Sequence, residues 1–239
     1  MTTPMDNTPD KELWDWWLDG CHSPAFNMAA DEALLLSANL RGRPLLRFYG
    51  WDRKAVSIGY VQSAAAAPQG YAYVRRPTGG GVVYHDFDFT YTVVFPANHW
   101  LNTLDRMNSY DWINRSIQTG LQSLDVNAAL SDAVIPHSVD RLTMVCFTNP
   151  TKYDIILAGR KVGGSAQRRV REGLLHQGSL HFGKPLPFSR QSMTDALARG
   201  FRSVMNVQFQ LFTPSAWLIG QILDLKHEKY LTQVWNNKR

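Results

Sequence analysis

The chain has 239 residues, of which 44% are hydrophobic, and its 25 Lys and Arg outnumber 20 Asp and Glu for a formal net charge of +5. That length suits one generous α/β domain with a substantial core; no apolar run reaches the ~20 residues of a membrane span, and the polar start excludes a secretory signal. Two cysteines in unlike settings, Cys21 and Cys146, make no disulfide framework, so a cytoplasmic protein with reduced thiols and no membrane association is expected.

Residues 1–11 carry Pro, Asp, Asn and Thr without an apolar face and are expected to be a mobile tail, which leaves 12–239 as the folded domain. Residues 13–18 alternate as a first strand. Ser23-Pro24 opens a helix to about residue 40, with Phe26, Ala29, Ala33, Leu34 and Leu36 on its apolar face. Asn27, Asp31 and Glu32 read as residues favouring the positive end of that helix rather than as catalytic carboxylates. Cys21, just before the helix, is expected to be structural.

Leu45–Trp51 and 55–61 read as strands joined by a turn, and Tyr49 and Trp51 in them as core rather than as tunnel walls. Between strands at 71–74 and 90–96 lies Arg75-Arg76-Pro-Thr-Gly79-Gly80-Gly81-Val-Val-Tyr-His85-Asp86, taken as part of a strand-turn-strand unit. Three glycines without Cβ atoms let another molecule lie directly on the backbone, with free N–H groups facing its oxygens. A helix over 106–124 should bury Met107, Trp112, Ile113, Ile117, Leu121 and Leu124, and 131–150 should be a functional loop ending in Cys146. Strands at 153–157, 160–166 and 174–182 form an antiparallel meander, and helices at 193–204 and 215–227 follow.

The basic residues gather near the two glycine-rich stretches: Arg75 and Arg76, then Arg160, Lys161, Arg168, Arg169 and Arg171. Charge of this kind draws an acidic partner. No helix-turn-helix, zinc spacing or aromatic ribonucleoprotein stretch accompanies it, so nucleic acid is set aside in favour of an acidic carrier protein, and no metal site is expected.

R-R-x-x-G-G-G-x-V-x-H-D at 75–86 together with G-R-K-x-x-G-S-A-Q at 159–167 resembles the biotin/lipoate protein ligase and lipoyl (octanoyl) transferase superfamily. Arg47-Phe-Tyr49-Gly-Trp51, Ser57-Ile-Gly59-Tyr-Val-Gln62, His176-Gln177-Gly178-Ser179-Leu180 and the ending Lys229-Tyr230 to Trp235-Asn236 extend the likeness. It implies a single α/β (α+β) domain like a lipoate ligase catalytic domain, with a mixed, largely antiparallel sheet flanked by helices. It also implies a substrate pocket built from Arg75, Gly79, Gly80, Gly81, His85, Gly59, Gln62, Gly164, Ser165 and Ala166. His85 either orients or moves a proton there or is a structural histidine beside Asp86.

Within that superfamily the cysteine-dependent octanoyltransferases carry their nucleophile in C-F-x-x-P-x-x-[YF]-[DE]-[LI], and here Cys146-Phe147-Thr-Asn-Pro150-Thr-Lys-Tyr153-Asp154-Ile155 is similar in residue type and spacing. The resemblance implies that Cys146 holds the acyl group as a thioester and that Lys161 lies beside the acyl carbonyl. The implied reaction moves an octanoyl group from acyl carrier protein to a lysine of a lipoyl-domain protein, such as the glycine cleavage H protein or a dehydrogenase acyltransferase subunit, without a cofactor. An ATP-dependent lipoate ligase, needing ATP and Mg, is the alternative; the length argues mildly against it, because two-domain ligases are expected to carry an extra C-terminal domain, although some ligases place it on a separate chain. A non-catalytic carrier-binding protein is disfavoured by the intact Cys146 and Lys161.

Overall fold

The computed structural model describes residues 10–134, 140, 142, 144–183 and 187–238. The expected tail at 1–11 lies, apart from Asp10 and Lys11, outside the described residues, as does part of the expected loop at 131–150.

In chain order the elements are β1 (Glu12–His22), α1 (Pro24–Leu36), α2 (Ala38–Arg41), β2 (Leu45–Trp51), β3 (Ala55–Ile58), β4 (Ala72–Arg75), β5 (Val83–His85) and β6 (Phe89–Pro96). There follow α3 (Arg106–Gln122), β7 (Ala129–Leu130), β8 (Ile155–Leu157), β9 (Arg160–Val170), β10 (Gly173–Leu180), α4 (Arg190–Met205), β11 (Val207–Leu211), α5 (Ala216–Leu225) and α6 (Gln233–Asn236). Eight strands form one mixed sheet in the order β11-β1-β2-β6-β10-β9-β8-β7, and β4-β3-β5 form a small second sheet. The antiparallel meander β8-β9-β10 stands as expected. Ala158 and Gly159, both at positive φ, make the two-residue turn into β9.

The large sheet is covered on both faces, so its central strands are buried throughout. Tyr91, Val93 and Phe95 of β6 pack with Ile113, Ile117 and Leu121 of α3 and Leu197 and Phe201 of α4. Val94, one residue out of phase, packs with Met28, Leu34 and Ala33 of α1 and with Leu218 and Ile222 of α5. Among the described residues no helix is long and apolar enough to cross a membrane. Cys21 and Cys146 are both free thiols.

Several expectations are corrected. The glycine-rich stretch is not a simple turn between the strands at 71–74 and 90–96: those belong to different sheets, β4 and β5 flank β3 on opposite sides, and residues 76–82 cross over the end of β3. The first helix divides at Ser37, whose Oγ donates to Ala33 O and Leu34 O, and β3 ends at Ile58 because Gly59–Gln62 turns away. Met107 and Trp112 are exposed at 36% and 39%, since α3 turns only its Ile113, Ile117 and Leu121 stripe to the core. Asn27, Asp31 and Glu32 are buried, not solvated: Asp31 pairs with Arg47 and Glu32 with Lys229, so partners distant in sequence stabilise them rather than the helix end. Strands β7 and β11, unforeseen, complete the sheet edges.

Candidate active site

The turn at Ala158-Gly159 sets the phase of β9 and so the side to which Lys161 points. Its Nζ lies 2.7 Å from Asp154 Oδ2 and 3.6 Å from Cys146 Sγ, within hydrogen-bond reach of both. The Lys161 and Asp154 side chains are 4% and 5% exposed. Asp154 is itself fixed, because its Oδ2 accepts from Thr151 N at 2.6 Å and Thr151 Oγ1 at 2.9 Å. Burial acts to lower the Lys161 pKa, but the neighbouring Cys146 and Asp154 outweigh it and hold the ammonium above its ordinary range. Gly164 leaves the necessary space: a Cβ there would sit 2.8 Å from Lys161 Cε and 3.2 Å from Cys146 Sγ.

Cys146 opens a short 3₁₀ turn, Cys146–Thr148, that is stitched to the end of the glycine-rich stretch. Cys146 N donates to Val82 O and Val82 N donates to Met144 O, each at 2.9 Å. Gly81 permits this approach, since a Cβ on it would lie 2.5 Å from Met144 O. Gln62 Nε2 donates to the same carbonyl at 3.0 Å, while its Oε1 accepts from Gly59 N at 3.0 Å. Gly59 in turn meets Gly80 O, where a Cβ would overlap at 2.0 Å. Gly59, Gln62 and Gly81 therefore hold the cysteine segment against the small sheet rather than lining a cavity.

The two arginines of the motif differ completely in surroundings. Arg75 donates to five backbone carbonyls, those of Gly59, Tyr60, Gln62, Trp235 and Asn236, which ties the C-terminal segment to the loop after β3 and leaves the guanidinium facing no cavity. Arg76 donates to Gly79 O at 2.6 Å, Gly81 O at 2.7 Å and Ser57 O at 2.9 Å, and it lines the cavity beside Cys146. Burial pushes its pKa down to about 10, with Cys146 acting in the opposite direction, so it remains a cation at neutral pH. Gly79 contributes its carbonyl to Arg76 and lines neither cavity; Gly80, at φ +89°, lines both.

A narrow cavity of about 40 Å³, predominantly apolar, runs from Cys146, Gly164, Ser165 and Ala166 past His85, Val83 and Trp51 to Tyr49, Met28 and Gln177. Tyr49 and Trp51 are thus at once packed and cavity-lining, because the cavity penetrates between α1 and the sheet. His85 is gripped from both ring nitrogens, with Nε2 2.8 Å from Ser57 Oγ and Nδ1 2.7 Å from Asp88 Oδ2, and it stacks on Trp51 at 3.8 Å. Its carboxylate partner is Asp88, not the adjacent Asp86. Burial acts to raise the Asp88 pKa, yet His85, Ser179 and Thr90 together hold it below the usual carboxylate range.

A second, wider cavity of about 470 Å³ shares Gly80 and Ser165 with the first and is otherwise lined by residues including Arg106, Met107, Tyr110, Val61 and Lys152. Arg76, Asp154, Trp51, Ser57 and Gln177 were not singled out as site residues from the sequence. Arg76 and Asp154 stood inside quoted motifs; Ser57 and Gln177 did too, without any separate signal of their role. Cys21, expected to be structural, is the penultimate residue of β1, is exposed and belongs to neither cavity.

A thiol, an ammonium and an apolar cavity meet at one glycine-rich edge of this mixed α/β sheet. The description "Lipoyl protein ligase A/B catalytic domain" matches residues 23–207, and the chain belongs to that family. Relatives named Octanoyltransferase LipM include that of Anoxybacillus flavithermus, 32% identical over 96% of this chain and 100% of its own length. That of Carboxydothermus hydrogenoformans is 38% identical over 71% of this chain and 65% of its own. Among solved structures, lipoate-protein ligase A bound with ATP superimposes with a TM-score of 0.77 at 23% identity, covering 95% of this chain and 98% of that one. A bi-partite lipoate protein ligase from Thermoplasma acidophilum does so with a TM-score of 0.72 at 21% identity over 95% and 96% of the two chains. At such identities the structural likeness speaks for the fold alone.

Proposed function

We propose that the chain is an octanoyltransferase of protein lipoylation, taking an octanoyl group from acyl carrier protein onto Cys146 and passing it to a lysine of a lipoyl-domain protein. The observation that carries this reading is the Lys161 ammonium, anchored by Asp154 and 3.6 Å from the Cys146 sulfur, at the wall of an apolar cavity. The octanoyl chain lies along Val83, Trp51 and Tyr49, which removes it from water and brings its carbonyl to Cys146.

In the first half-reaction the Cys146 thiolate attacks the donor carbonyl, the carbon–sulfur bond to the carrier breaks, and the carrier sulfur leaves as thiolate and takes a proton from solvent. In the second, the neutral amine of the acceptor lysine attacks the acyl-Cys146 carbonyl; Cys146 departs as thiolate and the nitrogen gives up a proton to water. Each half passes through an oxyanion, to which the Lys161 ammonium donates. Acyl activation resides in the thioester, so neither nucleotide nor metal is needed. Cys146 and Lys161 are the catalytic residues of this scheme, with Gly80, Gly164, Ser165, Ala166 and His85 around the acyl group.

Incubation with octanoyl-acyl carrier protein in the absence of ATP, followed by intact-mass and peptide analysis, should place one octanoyl group on Cys146. Modification that requires ATP, Mg and free acid would instead establish a ligase working through an acyl-adenylate, with which the glycine-rich motif is equally compatible.

A further inference from the structure

The chemistry above uses the first cavity and leaves the second without an occupant. The second cavity shares Gly80 and Ser165 with the first and so adjoins, at those two residues, the cavity that Cys146 lines. Its described lining combines apolar and weakly polar walls, Val61, Met107 and Tyr110, with two cations, Arg106 and Lys152, and no carboxylate. Both cations belong to exposed residues, and the Lys152 ammonium stands 5.0 Å over the Tyr153 ring. An elongated ligand with an uncharged body and an anionic end fits that lining, whereas a neutral acyl chain has no use for it.

Resting on the transferase reading, we propose that this second cavity is the binding groove for the phosphate-bearing arm of the thioester donor, with Arg106 and Lys152 engaging its phosphate while the arm delivers the thioester past Gly80 and Ser165 to Cys146. Acyl groups carried on acyl carrier protein and on coenzyme A share such an arm; a thioester on a short neutral thiol lacks it. The donor thiol leaves through the same groove after acyl transfer, which vacates the opening for the acceptor amine. Acyl transfer therefore proceeds with donor and acceptor at Cys146 in turn.

The test compares wild type with the Arg106→Ala, Lys152→Ala double variant on three donors: octanoyl-acyl carrier protein, octanoyl-coenzyme A and octanoyl-N-acetylcysteamine. Loss of two charge-assisted contacts should reduce kcat/KM for Cys146 acylation about 10- to 100-fold with both phosphate-bearing donors. The neutral donor should be used within about twofold of wild type, which also shows the variant to be folded. The charge-retaining Arg106→Lys, Lys152→Arg variant should recover most of the loss. Equal effects on all three donors, or on none, would overturn the proposal. So would a defect confined to the carrier protein, which would mark attraction to the carrier's own surface. Wild type that accepts no thioester at all would remove the transferase reading itself, a result distinct from wild type that accepts every donor while the variant shows no preference.

Discussion

Two buried ion pairs flank the acyl cavity, and they differ in how fully they are satisfied. Arg47, with no exposed side chain, donates to Asp31 Oδ1 at 2.7 Å, to Asp19 Oδ2 at 2.7 and 3.0 Å, and to Asn27 Oδ1 and O at 2.9 and 3.2 Å. Asp31 also accepts from Tyr49, Thr92 and Gln177, at 3.0, 2.8 and 2.7 Å. Lys161, by contrast, has among the described residues two partners for the three N–H bonds of an ammonium, and one of them is the sulfur of Cys146. A saturated pair can only resist change, and here it welds α1 to β2, β6 and β10 behind Tyr49 and Gln177. An ammonium with donor capacity left can follow charge as it develops, which is what the oxyanion step demands.

The saturated pair should fail as structure. Arg47→Met strands Asp31 and Asp19 in the interior and should cost about 3–5 kcal/mol of stability, read from urea denaturation; a cost below about 1 kcal/mol would mean that this network is dispensable. The unsaturated pair should fail as chemistry. Lys161→Ala leaves Asp154 buried with Thr151 as its partner and should also lower the denaturation midpoint, but the folded variant should in addition lose about 10²- to 10³-fold in single-turnover rate, in both half-reactions and at saturating carrier. A defect seen only as weaker carrier binding, and abolished by high salt, would remove Lys161 from the chemistry.

His176 extends the contrast to a buried group with no ionic partner. It has no exposed surface; Nδ1 lies 3.1 Å from Gln167 Nε2, while Nε2 has no hydrogen-bond partner among the described residues. Burial pushes its pKa down from 6.5 to about 3, so on acidification the unfolded chain takes up the proton before the folded one. Stability should therefore decline as pH falls below about 6.5 and continue down toward about 3, by at most about 1.4 kcal/mol per pH unit from this group. Denaturation midpoints of His176→Gln measured across that range should show a shallower acid slope than wild type; an unchanged slope would assign acid lability elsewhere.

The sequence alone was enough for whatever depends on neighbours along the chain. Strand and helix periodicity placed the meander and most helices, and Ser23, Ser189 and Ser215 cap the helices that follow them through their own side chains. The motifs around Cys146 and Lys161 likewise marked two residues that the fold brings within 3.6 Å, because the segment between them is a short turn and hairpin. Partnership across the sheet was not legible in this way. Arg75 and Arg76 are adjacent and chemically identical, yet one closes on the C-terminal segment and the other on the cavity. Side chains of an extended chain alternate between sides, and what waits on each side is set by segments far away: α6 for one, the Cys146 turn for the other. Asp31 and Glu32 follow the same rule, since their partners Arg47 and Lys229 are distant in sequence and only the packing of α1 between the sheet and the C-terminal helices made buried charge tolerable.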